Sequence, residues 1–114
     1  MTITQRTVPG ATILDLSGRF EFTVRKTFTS ALEKAQEHPE RHIVLNFQGV
    51  PFVDSAALGL LALAHQTLKL KNGRLSIAAP QEYVQKILDL ANFPKFIPVY
   101  KSVDEAVMQQ HAMV

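Results

Sequence analysis

Residues 43–80 read IVLNFQGVPFVDSAALGLLALAHQTLKLKNGRLSIAAP, and the order of patterns in this stretch decides the fold. An apolar run over residues 42–47 (HIVLNF) fits a central strand buried on both faces. A loop over 48–53 follows, carrying Gly49 and Pro51. Asp54 and Ser55 form an N-cap pair for a helix over 56–70, because a short oxygen-bearing side chain satisfies N–H groups left unbonded in the first turn. Asn72 and Gly73 tolerate the left-handed conformation that closes a helix. Residues 74–78 then turn Leu75 and Ile77 inward as another strand. Strand, helix and strand in this order argue parallel inner strands joined by right-handed crossovers.

Working outward, residues 3–8 mix β-branched and polar side chains, as a half-exposed strand does. Val8-Pro9-Gly10-Ala11 fits a type II turn: Pro9 presets the first central residue and Gly10 supplies the positive φ of the second. Residues 12–16 return as the second strand of a hairpin, which Ser17-Gly18 ends. Val24, Phe28, Ala31, Leu32 and Ala35 recur at helical spacing, with Arg25, Lys26, Glu33, Lys34 and Glu37 on the other faces. Pro39 stops that helix. Downstream, Pro80 fits the first turn of a third helix with the stripe Val84, Ile87, Leu88 and Ala91. Residues 97–100 form a short extended piece weakened by Pro98. Ser102-x-x-Glu105 is a capping box opening a last helix over 103–111. The expected architecture is α/β: one domain with a mixed sheet of roughly four to five strands, an initial hairpin then parallel inner strands, and about four α-helices. Functional groups of such sheets gather in loops at the carboxyl ends of the parallel strands. Here those loops are 17–22 and 48–55.

The 114 residues are room for one domain, and 46% hydrophobic with 19% charged residues is a globular balance. Twelve Lys and Arg against ten Asp and Glu leave a net charge of +2, scattered without a basic run. Neither nucleic acid nor an anionic membrane is the expected partner. The absence of cysteine excludes a disulfide scaffold, a thiolate metal site and a cysteine nucleophile. Residues 1–7 are too polar for a signal peptide, and the longest apolar stretch, 56–64, falls short of the ~20 residues of a membrane span. The expectation is a small cytoplasmic domain with no membrane insertion.

No catalytic constellation is visible. His38 and His42 have helical ligand spacing, but Pro39 between them denies a shared helix. Ser55 and His65 lie on one helix with ~15 Å of axial rise between them, too far for a hydrogen bond. Gly18, Gly49, Gly59 and Gly73 stand alone, so no phosphate-cradling loop exists. Neither an enzyme nor a metal or other cofactor is expected.

The helix after Ser55 carries more information. At about 100° per residue, Ala57, Leu61, Ala64 and Leu68 face the core, flanked by Leu60 and Leu63. The opposite stripe starts at Ser55 and continues through Gly59, Ala62, Gln66 and Lys69, bordered by Leu58 and His65. A merely solvated face would more often carry Glu and Lys, which are better helix formers than Gly. Small residues admit another backbone closely. By residue chemistry alone, Ser55 reads equally well as a cap with no further role. A phosphate there would be tolerated by the helix end and would add about −1.5 to −2 charges beside Asp54.

Residues 43–80 resemble the central part of a STAS domain, the domain of anti-sigma factor antagonists and of sulfate-transporter C-termini. The similarity is carried by Asp54-Ser55-Ala56-Ala57-Leu58-Gly59, the long apolar helix, the Gly turn and the strand after it. Leu16-Ser17-Gly18-Arg19-Phe20-Glu21 resembles the family's motif after the second strand. Leu88-Asp89-Leu90-Ala91-Asn92-Phe93 and Val99-Tyr100-Lys101-Ser102-Val103-Asp104-Glu105-Ala106 resemble its closing helix pair. The resemblance implies a binding module that holds an anti-sigma factor which is also a Ser/Thr kinase. It implies that the kinase phosphorylates the hallmark serine, which breaks the complex, and that a serine phosphatase resets it. By position, the resemblance implies Ser55 as the phosphoacceptor and Asp54 as its acidic neighbour. The resemblance also implies that Arg19, Phe20, Glu21 and Phe22 belong to the adjacent docking loop, and the helix stripe adds Leu58, Gly59, Ala62 and Gln66 as expected partner contacts. Two positions depart from the family: Ala57 stands where Gly is usual, and Glu21 where Asp is usual. STAS-like domains also serve as accessory subunits of transporters, including lipid-transport complexes, where the same helix face docks without a phosphate cycle. A kinase and sigma-factor gene nearby, against a transporter operon, separates the two. A small-molecule sensor at residues 17–22 has little to recommend it, since only Arg19 and Glu21 are polar enough to converge there.

Overall fold

A computed structural model describes residues 1–112, with side chains through residue 108. β1 (Thr2–Val8) and β2 (Ala11–Ser17) form the antiparallel hairpin. The turn between them places Gly10 at φ 90°, the left-handed value that a type II turn demands of its second central residue. Next come α1 (Arg25–Ala35), preceded by a 3₁₀ turn over Phe22–Val24, and β3 (His42–Gly49). α2 (Ser55–Leu70), β4 (Arg74–Ala78), α3 (Glu82–Leu90), the short β5 (Val99–Tyr100) and α4 (Val103–Ala112) complete the order. The sheet has five strands in the order β1-β2-β3-β4-β5, and every pairing after the hairpin is parallel. This is the mixed sheet that the pattern predicts.

The sheet is covered on both faces, unequally. Leu14, Leu16, Ile43, Leu45, Phe47, Leu75 and Ile77 form one core with residues of α1, α2 and α3. Ala11, Ile13, Val44 and Ala78 face the other way, under Ala106 of α4. The alternation of strand side chains therefore sends Ile43 and Val44 into different cores, which explains why β3 reads as a continuous apolar run. His42 is buried, and its Nε2 lies 2.7 Å from Ser76 Oγ.

Three local readings need correction. Pro80 lies outside α3, whose N-cap is Gln81 in extended conformation. The chain leaving β4 is held by the Ala79 N–H donating to the Tyr100 carbonyl at 2.9 Å, and Ala79 turns through φ 55°, so the helix starts only afterwards. β3 extends to Gly49, where the 48–53 loop was expected. A Cβ on Gly49 would sit 2.9 Å from the Leu16 carbonyl oxygen, so glycine permits this close approach to β2. Leu63, expected to flank the core, is 60% exposed.

Arg6 Nε donates to Asp15 Oδ2 at 2.7 Å across the hairpin, and Asn46 Nδ2 donates to Asp15 Oδ1 at 2.7 Å. The Arg6 hydrogen bond comes first in holding the Asp15 carboxyl below its ordinary range; burial opposes it and Asn46 assists. A depressed carboxyl stabilises the fold above its unfolded pKa and loses that contribution as pH falls through the folded value. Wild type should therefore be more stable than Asp15→Asn at neutral pH, and the gap should close as the pH drops below 3.8. Denaturant midpoints across that range check it; a pH-independent gap contradicts it.

Candidate docking face

The two loops at the carboxyl end of the sheet are laced together. Gly18 N–H donates to the Gly49 carbonyl at 2.9 Å, Phe20 N–H to the Phe52 carbonyl at 2.9 Å, and Asp54 N–H to the Phe20 carbonyl at 3.2 Å. A parallel bridge pairs Phe20 with Val53. After a register shift between Asp15 and Ser17, the β2–β3 ladder is in effect resumed by the loops. The strand-like alternation decides which side chains face out. Phe20 is fully buried, its ring 4.9 Å from that of Phe28 and 6.0 Å from that of Phe47. Its expected place in the docking surface is thus corrected: Phe20 is a core residue anchoring the loop from below. Arg19 and Glu21 point outward, Arg19 Nε donating to Glu21 Oε2 at 3.3 Å. Phe22 is 55% exposed, with the Arg25 guanidinium 4.0 Å above its ring.

Asp54 joins this ledge to α2. Its Oδ1 accepts from the Ala57 N–H at 2.8 Å, which makes Asp54 the N-cap. Its Oδ2 accepts from the Phe22 N–H at 3.1 Å. Both oxygens are thereby engaged inside the protein. Ser55 is the first helical residue, exposed, and its hydroxyl makes no hydrogen bond among the described residues. The N-cap is therefore Asp54 and not Ser55, whose hydroxyl faces solvent.

Along α2, Ala57, Leu61, Ala64 and Leu68 are buried as the helical periodicity predicts. Gly59 and Gln66 are exposed, and a Cβ on Gly59 would meet nothing within 4 Å. Leu58 and Ala62 are half-buried and pack against the core edge. His65 is engaged with Phe96, ring centroids 5.4 Å apart, rather than standing free beside the stripe. The structure thus brings Arg19, Glu21, Phe22, Asp54 and Ser55 to one end of the sheet, with Gly59 one helical turn beyond. Two further aromatics lie in the same region, half-buried Phe52 and exposed Tyr83, and neither is among the expected site residues. Phe52 sits in the 48–55 loop, and Tyr83 lies on α3 outside the stripe of Val84 and Leu88. An aromatic on the polar side of an amphipathic helix was the signal available for Tyr83.

The family model of the STAS domain matches residues 2–106. The chain belongs to the STAS domain family. It is 30% identical over 86 residues to a STAS-domain containing protein of Pseudomonas aeruginosa, covering 75% of this chain and 84% of that protein. It is 25% identical over 101 residues to the anti-sigma F factor antagonist of Paenibacillus polymyxa, covering 88% of this chain and 86% of that one. The fold is similar to that of the anti-sigma factor antagonist SpoIIAA in its unphosphorylated form, with a TM-score of 0.80, 18% identity and 99% of each chain covered. For the phosphorylated Bacillus SpoIIAA the TM-score is 0.70 at 16% identity, covering 95% of this chain and 98% of that one. No helix among the described residues of this STAS domain is long and apolar enough to cross a membrane. The same residues contain no cluster of three His, Cys, Asp or Glu side chains suited to a metal ion.

Proposed function

We propose that this STAS domain is a cytoplasmic anti-sigma factor antagonist, and that a phosphate on Ser55 controls its hold on an anti-sigma factor kinase. The observation that carries this reading is the division of labour at the start of α2. Asp54 takes the cap, and Ser55 is left exposed with an unbonded hydroxyl. The names of its relatives support the antagonist half of the reading. In the unphosphorylated state the partner lies over Gly59 and Ala62, with Ser55 at the rim and Arg19, Glu21 and Phe22 on the neighbouring ledge. Phosphorylation adds about −1.5 to −2 charges there. The domain itself tolerates the group, since the N–H groups of Ser55 and Ala56 lie at the positive end of the helix. The partner must desolvate it beside Asp54, so the complex breaks and a serine phosphatase restores it.

Incubation with the purified anti-sigma factor kinases of the source organism and Mg-ATP should place one phosphate on Ser55, located by mass spectrometry. Ser55→Ala should take up none. Labelling that persists in Ser55→Ala, or no labelling of either protein, overturns the assignment.

A further inference from the structure

Flat side chains from three elements stack into a row at the carboxyl end of the sheet. The Arg19 guanidinium carbon, from the loop after β2, lies 4.0 Å from the centroid of the Phe52 ring. Phe52, from the loop after β3, stacks on Tyr83 at the start of α3, with centroids 6.5 Å apart and planes inclined by 13°. Gln81 Nε2 donates to the Gln48 carbonyl at 2.9 Å, tying the start of α3 to the end of β3. The row is solvent-facing: Tyr83 is 53% exposed and the Arg19 side chain 59%. The burial of α3 does not require Tyr83, since Val84 and Leu88 supply it.

Two properties say what such a row takes. Arg19 donates only through Nε, to Glu21, and its two terminal nitrogens donate to nothing among the described residues. A guanidinium held against a ring with that edge free presents parallel N–H donors, the geometry that grips a carboxylate at two points. The rings beside it are already stacked, so covering them costs little further ordering. Tyrosine and arginine in this state are the residue types on which interface energy concentrates.

We propose that Arg19, Phe52 and Tyr83 form a preassembled clamp for an acidic side chain flanked by an apolar one on the anti-sigma factor. The clamp extends the docking face from α2 onto α3. It rests on the docking reading above and adds to it the chemistry of the partner's contact. Arg19 is ion-paired with Glu21 through Nε alone, so it is the free pair of terminal N–H donors that selects a planar carboxylate. A phosphate on Ser55, at the same end of the sheet, would oppose that acidic group.

The test is titration of wild type, Tyr83→Ala, Tyr83→Phe and Arg19→Lys against immobilised, purified anti-sigma factor kinases of the source organism, with a thermal melt of each variant. Tyr83→Ala should weaken binding about tenfold or more, and Tyr83→Phe by less than about threefold, because the ring face and not the hydroxyl makes the contact. Arg19→Lys should also weaken binding about tenfold although the charge is kept, because lysine cannot offer two coplanar donors. Wild-type affinity in Tyr83→Ala overturns the aromatic half of the clamp, and wild-type affinity in Arg19→Lys overturns the carboxylate half. A Tyr83→Phe loss as large as that of Tyr83→Ala also overturns the ring-face contact. Failure of wild type to bind any of the kinases overturns the docking reading and the clamp with it.

Discussion

Phe20→Ala is expected to cost about 3–5 kcal/mol of folding free energy. The ring is fully buried and packs tilted on Phe28 and edge-on to Phe47. Truncation removes the transfer free energy of the ring, two aromatic pairs worth about 0.5–1.5 kcal/mol each, and leaves a cavity the rigid sheet cannot close. A domain of this size holds about 5–15 kcal/mol in total, so the loss is a large fraction. Urea melts should show a lower midpoint with little change in slope. Phe20→Leu refills part of the volume and should cost less. A loss below about 1 kcal/mol for Phe20→Ala would return Phe20 to the surface and to direct partner contact. The consequence for binding is indirect: Phe20 supports the backbone groups that hydrogen-bond to Phe52 and Asp54, so its loss slackens the ledge that carries Arg19, Glu21 and Phe22.

The elements that were legible in the sequence are those set by local chemistry. Pro9-Gly10 fixes its turn through two backbone preferences, and β4 falls at residues 74–78 as its pattern predicts. Period 3.6 marks the core faces of α1 and α2, except at Leu63, which borders the core face but is 60% exposed. Contacts formed only in the assembled fold were not legible. Residues 19–22 read as one docking block, yet pairing with residues 52–54 imposes a strand's alternation that turns Phe20 inward. Asp54 and Ser55 are both good caps by composition. Only the backbone separates them, with Asp54 extended at φ −106° and ψ −179° and Ser55 already helical. Phe52 and Tyr83 are distant in sequence and meet because α3 is tied to the end of β3. Pro80 satisfies a rule for helix starts, but the hydrogen bond of Ala79 to Tyr100 delays the helix past it.

Ser55→Asp is expected to weaken binding to the anti-sigma factor kinase by about thirtyfold to a few thousandfold, while Ser55→Ala binds nearly as wild type does. An unpaired charge enclosed at an interface costs about 2–5 kcal/mol, and each 1.4 kcal/mol is tenfold in affinity. The new carboxylate cannot borrow the compensation next to it, because Asp54 already holds the N–H groups of Ala57 and Phe22. Folding pulls the other way. An acidic side chain in the first turn of a helix is favourable by about 0.3–1 kcal/mol, offset in part by the adjacent Asp54. The thermal midpoint of Ser55→Asp should therefore stay within a few degrees of wild type, which separates lost binding from lost structure. Added salt should recover part of the affinity of Ser55→Asp by screening exposed charge, but not the part due to desolvation. The phosphorylated protein, carrying up to one charge more than the aspartate, should bind more weakly still. Equal affinities for Ser55→Asp and Ser55→Ala would remove Ser55 from the interface, and the stripe through Gly59 and Ala62 would then dock its partner without a phosphate switch.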